Sequence, residues 1–309
     1  MGLYLFGALS FVLIPWLWSD AMLSLTNFFI LGLCALSLNV LYGYTGLLSL
    51  GQGVYFALGA YGATLAVIHG GVNFWVALAT GPVLAFLGAL AVGWISVRTS
   101  GYGFVVVTLV TALVFYLLAL GADSLTGGDD GMSFQTPSIN LWERELRVQD
   151  LPVRYYLALA ALLVGFGVVR LVMVSPLGLA FRLVRENERR AAFLGYDVFQ
   201  IRLASFVLAG VLAGLAGVVW ALSKEFVRAG LFQPFGAFIA AQPDPDPLIA
   251  VLLGGAGTLL GPLVGTGILL GLREFFVRFW PQGYVLAMGV VILLIVRYAP
   301  GGVTGFFKR

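Results

Sequence analysis

The sequence predicts an all-α polytopic membrane protein, and three observations carry that prediction. Hydrophobic residues fill 61% of the 309 positions and charged residues only 10%, against about 25% charged in a typical soluble domain. Mean hydropathy is +1.01. The apolar residues form continuous runs, not the alternation over about ten residues that marks a transmembrane barrel. A soluble fold has too few charges here to cover its surface. Lipid asks for no such cover, and a helix satisfies its own backbone there.

Runs able to span or enter a bilayer fall near 3–18, 27–48, 52–69, 73–97, 103–121, 155–174, 201–222, 247–272 and 283–299. A full crossing takes about 20 residues, so about 8–10 membrane segments are expected, some of them tilted, broken or re-entrant. The whole chain, 1–309, reads as one transmembrane domain. It opens with MGLYLFGALSFVLIPWLW, which lacks a basic n-region and reads as a retained first helix, not a cleaved signal. The one cysteine, Cys34, sits in an apolar run, and the one histidine, His69, at a segment end. An intramolecular disulfide and a Cys- or His-rich metal site are excluded, and no metal is expected.

Three polar intervals separate the runs. In 122–154, Asp123, Asp129, Asp130, Glu143, Glu145 and Asp150 stand against Arg144, Arg147 and Arg154. The interval 175–200 and its flanks carry Arg170, Arg182, Arg185, Arg189, Arg190 and Arg202 against three acids. The third interval, 224–246, is again rich in acids. The positive-inside rule puts 175–200 in the cytoplasm, which makes 122–154 and 224–246 external. Arg98, Arg297, Lys308 and Arg309 then fall inside, and both termini are expected in the cytoplasm. The segment 247–282 must return to the side it left. It reads as a hairpin that enters as LIAVLL, turns at GGAGTLLGP and leaves as LVGTGILLGLREFF, with Arg273, Glu274 and Arg278 at the outer interface.

A weak internal repeat runs through the chain. VLYGYTGLLSL (40–50) aligns with VLLGGAGTLLG (251–261), pairing Val40, Leu41, Gly43, Gly46 and Leu48 with Val251, Leu252, Gly254, Gly257 and Leu259. Glycines in membrane helices permit close packing. Clustered as Gly43, Gly46, Gly51 and Gly53 around Gln52, and as Gly254, Gly255, Gly257 and Gly261 before Pro262, they also break helices. Broken helices in equivalent places of two halves point toward a translocation pathway.

Several chemistries are absent. Neither lysine, Lys224 or Lys308, stands in a P-loop, so the chain is not expected to hydrolyse ATP or bind a cofactor itself. There is no HExxH, GxSxG or DxDxDG pattern, and no acid cluster beyond Asp129 and Asp130, so no enzyme is expected. The runs hold essentially no Asp, Glu or Lys, which argues against proton coupling. Sodium coupling through backbone carbonyls stays open, and an ion-coupled secondary transporter is the competing class. Nothing suggests a nucleic-acid partner.

The most charged stretch is RLVRENERRAAFLGYD, 182–197. Leu177, Phe181, Val184, Ala191 and Leu194 fall on one helical stripe, interrupted by Glu188. This predicts one short amphipathic helix over 178–195. Acids interleaved with bases favour a protein groove over anionic lipid, which would repel Glu186 and Glu188.

Around this stretch, SPLGLAFRLVRENERRAAFLGYD resembles the cytoplasmic coupling loop of the branched-chain amino acid ABC transporter permeases, specifically the LivM-like half. The match rests on Gly178, Arg185, Glu186, Asn187, Glu188, Ala191, Ala192 and Gly195. LNVLYGYTGLLSLGQGVYFALGAY (38–61), TGGDDGM (126–132), LASFVLAGVLAGLAGVVWAL (203–222), LLGGAGTLLGPLVG (252–265) and LIVRYAPGGVTGFF (294–307) resemble the same family, in order. FIAAQPDPDPLIA (238–250) departs from it, lacking the usual Ser- and Trp-containing approach.

The resemblance implies a permease of an ABC importer in a bacterial or archaeal cytoplasmic membrane. It implies a LivH-like second permease, a periplasmic or lipid-anchored solute-binding protein, and two ATPases that use ATP and Mg. The coupling residues above would meet the ATPase. Branched-chain amino acids are the implied solute, with urea or amides as the alternative in the same fold. The pathway residues expected from the helix breaks are Gly43, Gly46, Gly51, Gln52, Gly254, Gly255, Gly257 and Gly261.

Overall fold

The computed structural model describes residues 21–141, 144–234, 247–298 and 302–304. The expected first run, 3–18, and most of the divergent 238–250 stretch lie outside them. Among the described residues, six helices are long and apolar enough to cross a membrane. The first is α1 (Met22–Leu38), prolonged by a π-helical segment, Asn39–Tyr44. Then come α2 (Gln52–Gly70), α3 (Phe74–Ser96) and α4 (Tyr102–Gly121). After a one-turn helix α5 (Asp123–Thr126) follow α6 (Leu151–Val174), two short helices α7 (Pro176–Glu186) and α8 (Glu188–Phe193), and α9 (Val198–Lys224). The last part holds α10 (Pro247–Gly254), α11 (Gly261–Phe279) and α12 (Tyr284–Tyr298). Among the described residues the 247–272 run does not form one crossing, because α10 spans only about 12 Å at 1.5 Å per residue and α11 carries Arg273, Glu274 and Arg278 toward its end.

The core forms around α9, which packs against α1, α2, α3 and α6. Helices gain little hydrophobic drive against lipid, so association relies on close van der Waals packing. Small residues supply it. A Cβ at Gly59 would overlap the Gly214 carbonyl, and one at Gly217 the Phe56 carbonyl. Tyr55, beside these contacts, is buried and meets Phe206 edge-on at 5.4 Å. On the other side of α9, Phe29 of α1 meets Tyr155 of α6 at 5.2 Å. By contrast α4 buries little beyond Phe104, Thr108, Ala112 and Ala119, and Val106, Val110, Leu117 and Leu118 stand exposed.

The two ends of the bundle differ. At one end, loops from the intervals 122–154 and 224–246 meet as short antiparallel strands, β1 (Met132–Ser133) with β4 (Phe226–Val227). A hairpin of β2 (Ile139–Leu141) and β3 (Arg144–Leu146) lies between them in sequence. Glu225, at φ 55°, accepts from Thr136 N at 2.8 Å and Gln149 Nε2 at 2.6 Å. A 3-10 turn, Ala229–Phe232, then stacks Phe232 between Tyr61 and Phe115. The opposite, basic end carries Arg98, α7, α8 and the start of α9. Arg98 lies over the Trp94 ring at 5.2 Å and the Phe199 ring at 5.6 Å.

The apolar run 27–48 extends past the helix that it forms. The π-helical segment stops at Tyr44 because Gly46 turns left-handed, at φ 78°, a conformation that costs L-residues roughly 1 kcal/mol or more. Its aligned counterpart, Gly257, has φ 79°. Both breaks therefore use a left-handed glycine at the same position of the repeat.

A charged loop, a hairpin tip and a helix break

The site builds up from the α6–α7 corner. Gly178 N bonds to Ser175 O at 3.1 Å, and Pro176 opens α7, where its missing N–H costs nothing. A Cβ at Gly178 would come within 2.5 Å of Met173 Cα and Val172 O. Gly178 is thus a packing residue that seats α7 against the end of α6. Ala180, Phe181 and Val184 bury the inner face of α7.

The predicted single helix over 178–195 is two helices. Asn187 is extended, at φ −162° and ψ 103°, and its side chain accepts from Arg190 N at 3.0 Å to cap α8. A side-chain oxygen that captures an orphan N–H at a helix start explains the break. The apolar stripe is shorter than the spacing suggested. Phe181, Val184 and Ala191 are buried, but Leu177 and Leu194 are exposed.

The eight residues matched to a coupling loop divide by direction. Glu186, Ala192 and Gly195 are exposed, and Gly195 has open space where a Cβ would point. Asn187 caps α8, and Ala191 packs inward. Glu188 forms an ion pair with Arg202 of α9. Arg202 is buried and also donates to Val97 O and Thr99 O, at 3.3 and 3.4 Å, tying the loop to the end of α3. Arg185 is also exposed as a residue, but its guanidinium turns back and donates through Nη1 to Gly43 O. Beside it, Arg182 donates to Met173 O at 3.1 Å and lies over the Tyr44 ring at 6.0 Å.

The two glycine blocks meet at this point. Asn39 Oδ1 accepts from Gly257 N at 2.9 Å, and its Nδ2 donates to Thr258 O at 2.9 Å. A Cβ at Gly257 would lie 2.7 Å from Gly43 O and 2.6 Å from Arg185 Nη1. One at Gly46 would lie 3.1 Å from Arg185 Cγ. The tip between α10 and α11 is closed by Thr258, whose Oγ1 donates to Gly255 O and accepts from Gly261 N. A Cβ at Gly254 would overlap the Gly261 carbonyl. The 302–304 segment docks on the same tip, Thr304 Oγ1 donating to Gly254 O at 2.6 Å.

The first break is anchored separately. Gln52 is buried, and its Nε2 donates to Ser37 Oγ at 3.0 Å and Ala209 O at 3.1 Å. Gly51 lies against α4, where a Cβ would come within 2.7 Å of Thr108 O. Gly51, Gln52 and Gly53, the last against the Leu231 and Gln233 carbonyls, are therefore apart from the Gly43–Gly257 contact. An apolar cavity of about 590 Å³ lies elsewhere, near the far end, lined by Trp75, Val153, Leu157, Ala161, Leu215 and Val219 among others. None of the expected pathway glycines lines it. Among the described residues no three His, Cys, Asp or Glu side chains come together to hold a metal.

Sequence reasoning missed four participants. Asn39 was legible as an amide in the middle of an apolar run, a costly choice without a partner. Arg202 entered only as one positive charge among several. Phe193, 90% exposed beside Leu194, was legible as an apolar pair in a charged loop. Thr304 gave no local signal.

A family model described as branched-chain amino acid transport system, permease component, matches residues 21–297. The chain is 28% identical to the high-affinity branched-chain amino acid transport permease LivM of Escherichia coli K12, over 86% of this chain and 66% of that protein. It is 23% identical to LivH of the same strain, over 88% and 90%. It is 26% identical to BraD of Pseudomonas aeruginosa, over 88% and 91%. The chain thus spans just under two thirds of the LivM length. No solved structure matches it.

Proposed function

Since this chain belongs to the branched-chain amino acid transport system permease family, we propose that it is the membrane subunit of an ATP-driven importer. It moves branched-chain amino acids, or a closely related small solute, into the cytoplasm. The observation that carries this reading is the α7–α8 loop. One half is seated in the bundle by Phe181, Val184 and Gly178, and the other holds Phe193 and Leu194 out to solvent.

An exposed apolar pair on a capped helix suits a groove in a partner protein, since buried aromatic anchors dominate such contacts. The proposed partner is a cytoplasmic ATPase, one of two. The basic end of the bundle is then cytoplasmic, with both termini there, and the strand-bearing end faces outward toward a solute-binding protein. A LivH-like chain supplies the second half of the membrane unit. ATP and Mg belong to the ATPases, and solute choice belongs largely to the binding protein. In this scheme closure of the ATPase pair moves α8, and the seated α7 passes that movement to the spans, giving alternating access.

Tagged protein extracted mildly from its native membrane should retain an ATPase. Vesicles holding that complex should take up leucine only with ATP and binding protein, and urea poorly. A chain that purifies alone and drives uptake from a sodium gradient would replace this reading with an ion-coupled transporter.

A further inference from the structure

We propose that Arg185 is a positioning residue that joins the charged loop to both halves of the repeat, not a contact for the partner. The proposal rests on the coupling reading above. Its basis is an account of the carbonyls that end the first broken helix. Helix ends leave their last carbonyls without intrahelical partners. Here Val40 O accepts from Thr45 Oγ1 at 3.2 Å, Leu41 O from Leu47 N at 3.0 Å and Tyr42 O from Gly46 N at 3.2 Å. The next carbonyl, Gly43 O, takes Arg185 Nη1. A guanidinium from another element thus caps the broken helix.

That same guanidinium abuts the other half. The Gly257 backbone lies against Arg185 Nη1 and Gly43 O, and Asn39 bonds both Gly257 N and Thr258 O. The Arg185 stem meanwhile passes Gly46, so the side chain runs between the two left-handed glycines that the repeat aligns. A planar, multi-donor guanidinium suits this place better than a flexible ammonium. With its backbone held by the buried face of α7, Arg185 cannot stay put if α7 shifts. Any movement of the loop reaches the Asn39–Tyr44 segment and the hairpin tip together. Glu186, next in sequence and likewise exposed, is not drawn into this junction and stays available to a partner.

The test uses the full importer complex in liposomes, comparing wild type with Arg185→Gln, Arg185→Lys and Gly257→Ala. The readouts are ATPase retention and the ratio of ATP hydrolysed to leucine taken up. Arg185→Gln should retain the ATPase and raise that ratio at least about ten-fold, the scale of one lost charge-assisted hydrogen bond. Arg185→Lys, which keeps a cationic donor, should fall between. A wild-type ratio in Arg185→Gln would overturn the proposal. Loss of the ATPase from an inserted Arg185→Gln protein would also overturn it, by making Arg185 a docking contact. If Arg185→Gln fails to insert, Gly257→Ala probes the same junction with the arginine intact. Its methyl would sit 2.6 Å from Nη1, so a raised ratio supports the link and an unchanged ratio refutes it. A wild-type complex without an ATPase would instead remove the coupling reading itself, before any variant is compared.

Discussion

α7 and α8 are neighbours in the chain and alike in charge, yet they do opposite things. α7 carries Arg182, Arg185 and Glu186, and α8 carries Glu188, Arg189 and Arg190. Both arginines of α7 turn back onto the bundle, and Ala180, Phe181 and Val184 are buried beneath them. α8 buries Ala191 alone and is held at its start by the Asn187 cap and the Glu188–Arg202 pair. What separates the two is where the apolar residues fall relative to the break at Asn187. Phe181 lands against the body, and Phe193 lands in solvent. A charged stretch in a membrane protein can thus be an anchor, a handle, or one followed by the other.

The comparison breaks most severely at Gly178. Its would-be Cβ meets backbone at 2.5 Å, which cannot move aside. Gly178→Leu should unseat α7, costing about 3 kcal/mol or more, and inserted, monodisperse protein should drop sharply on size exclusion. Glu188→Ala should be milder, at about 2 kcal/mol, because Arg202 keeps its two carbonyl partners but loses its carboxylate. A lowered midpoint of thermal unfolding in detergent would show it. Asn187→Ala should cost about 1 kcal/mol and loosen only α8, read as faster amide exchange over 188–193 with α7 unchanged. Phe193→Asp should leave thermal stability within about 0.5 kcal/mol, as expected for a fully solvated position, while removing the ATPase from the purified complex.

Much of the bundle was legible from hydrocarbon thickness alone. The runs 52–69, 73–97 and 103–121 became Gln52–Gly70, Phe74–Ser96 and Tyr102–Gly121. The lipid sets segment length, and polar residues mark where it ends. The first described helix ends about four residues before its apolar run does, because Leu47 and Leu48 read as helix until the Gly46 backbone is known. The break at Asn187 was hidden for a related reason. Helical spacing continues through RENERRAAF, and only a side chain that caps a new helix ends the old one. Direction was the least legible property. Arg185 and Glu186 are adjacent, and nothing in the sequence says that a carbonyl freed at Gly43, 142 positions away, lies within reach of one of them.

The most direct test of the anchor-and-handle account is site-specific photo-crosslinking in the native membrane. A photoreactive side chain replaces Phe193 in one protein and Phe181 in another. The account predicts an adduct at the combined mass of the chain and its ATPase from position 193, and only intrachain adducts from position 181. An ATPase adduct from position 181, or none from position 193, would contradict it.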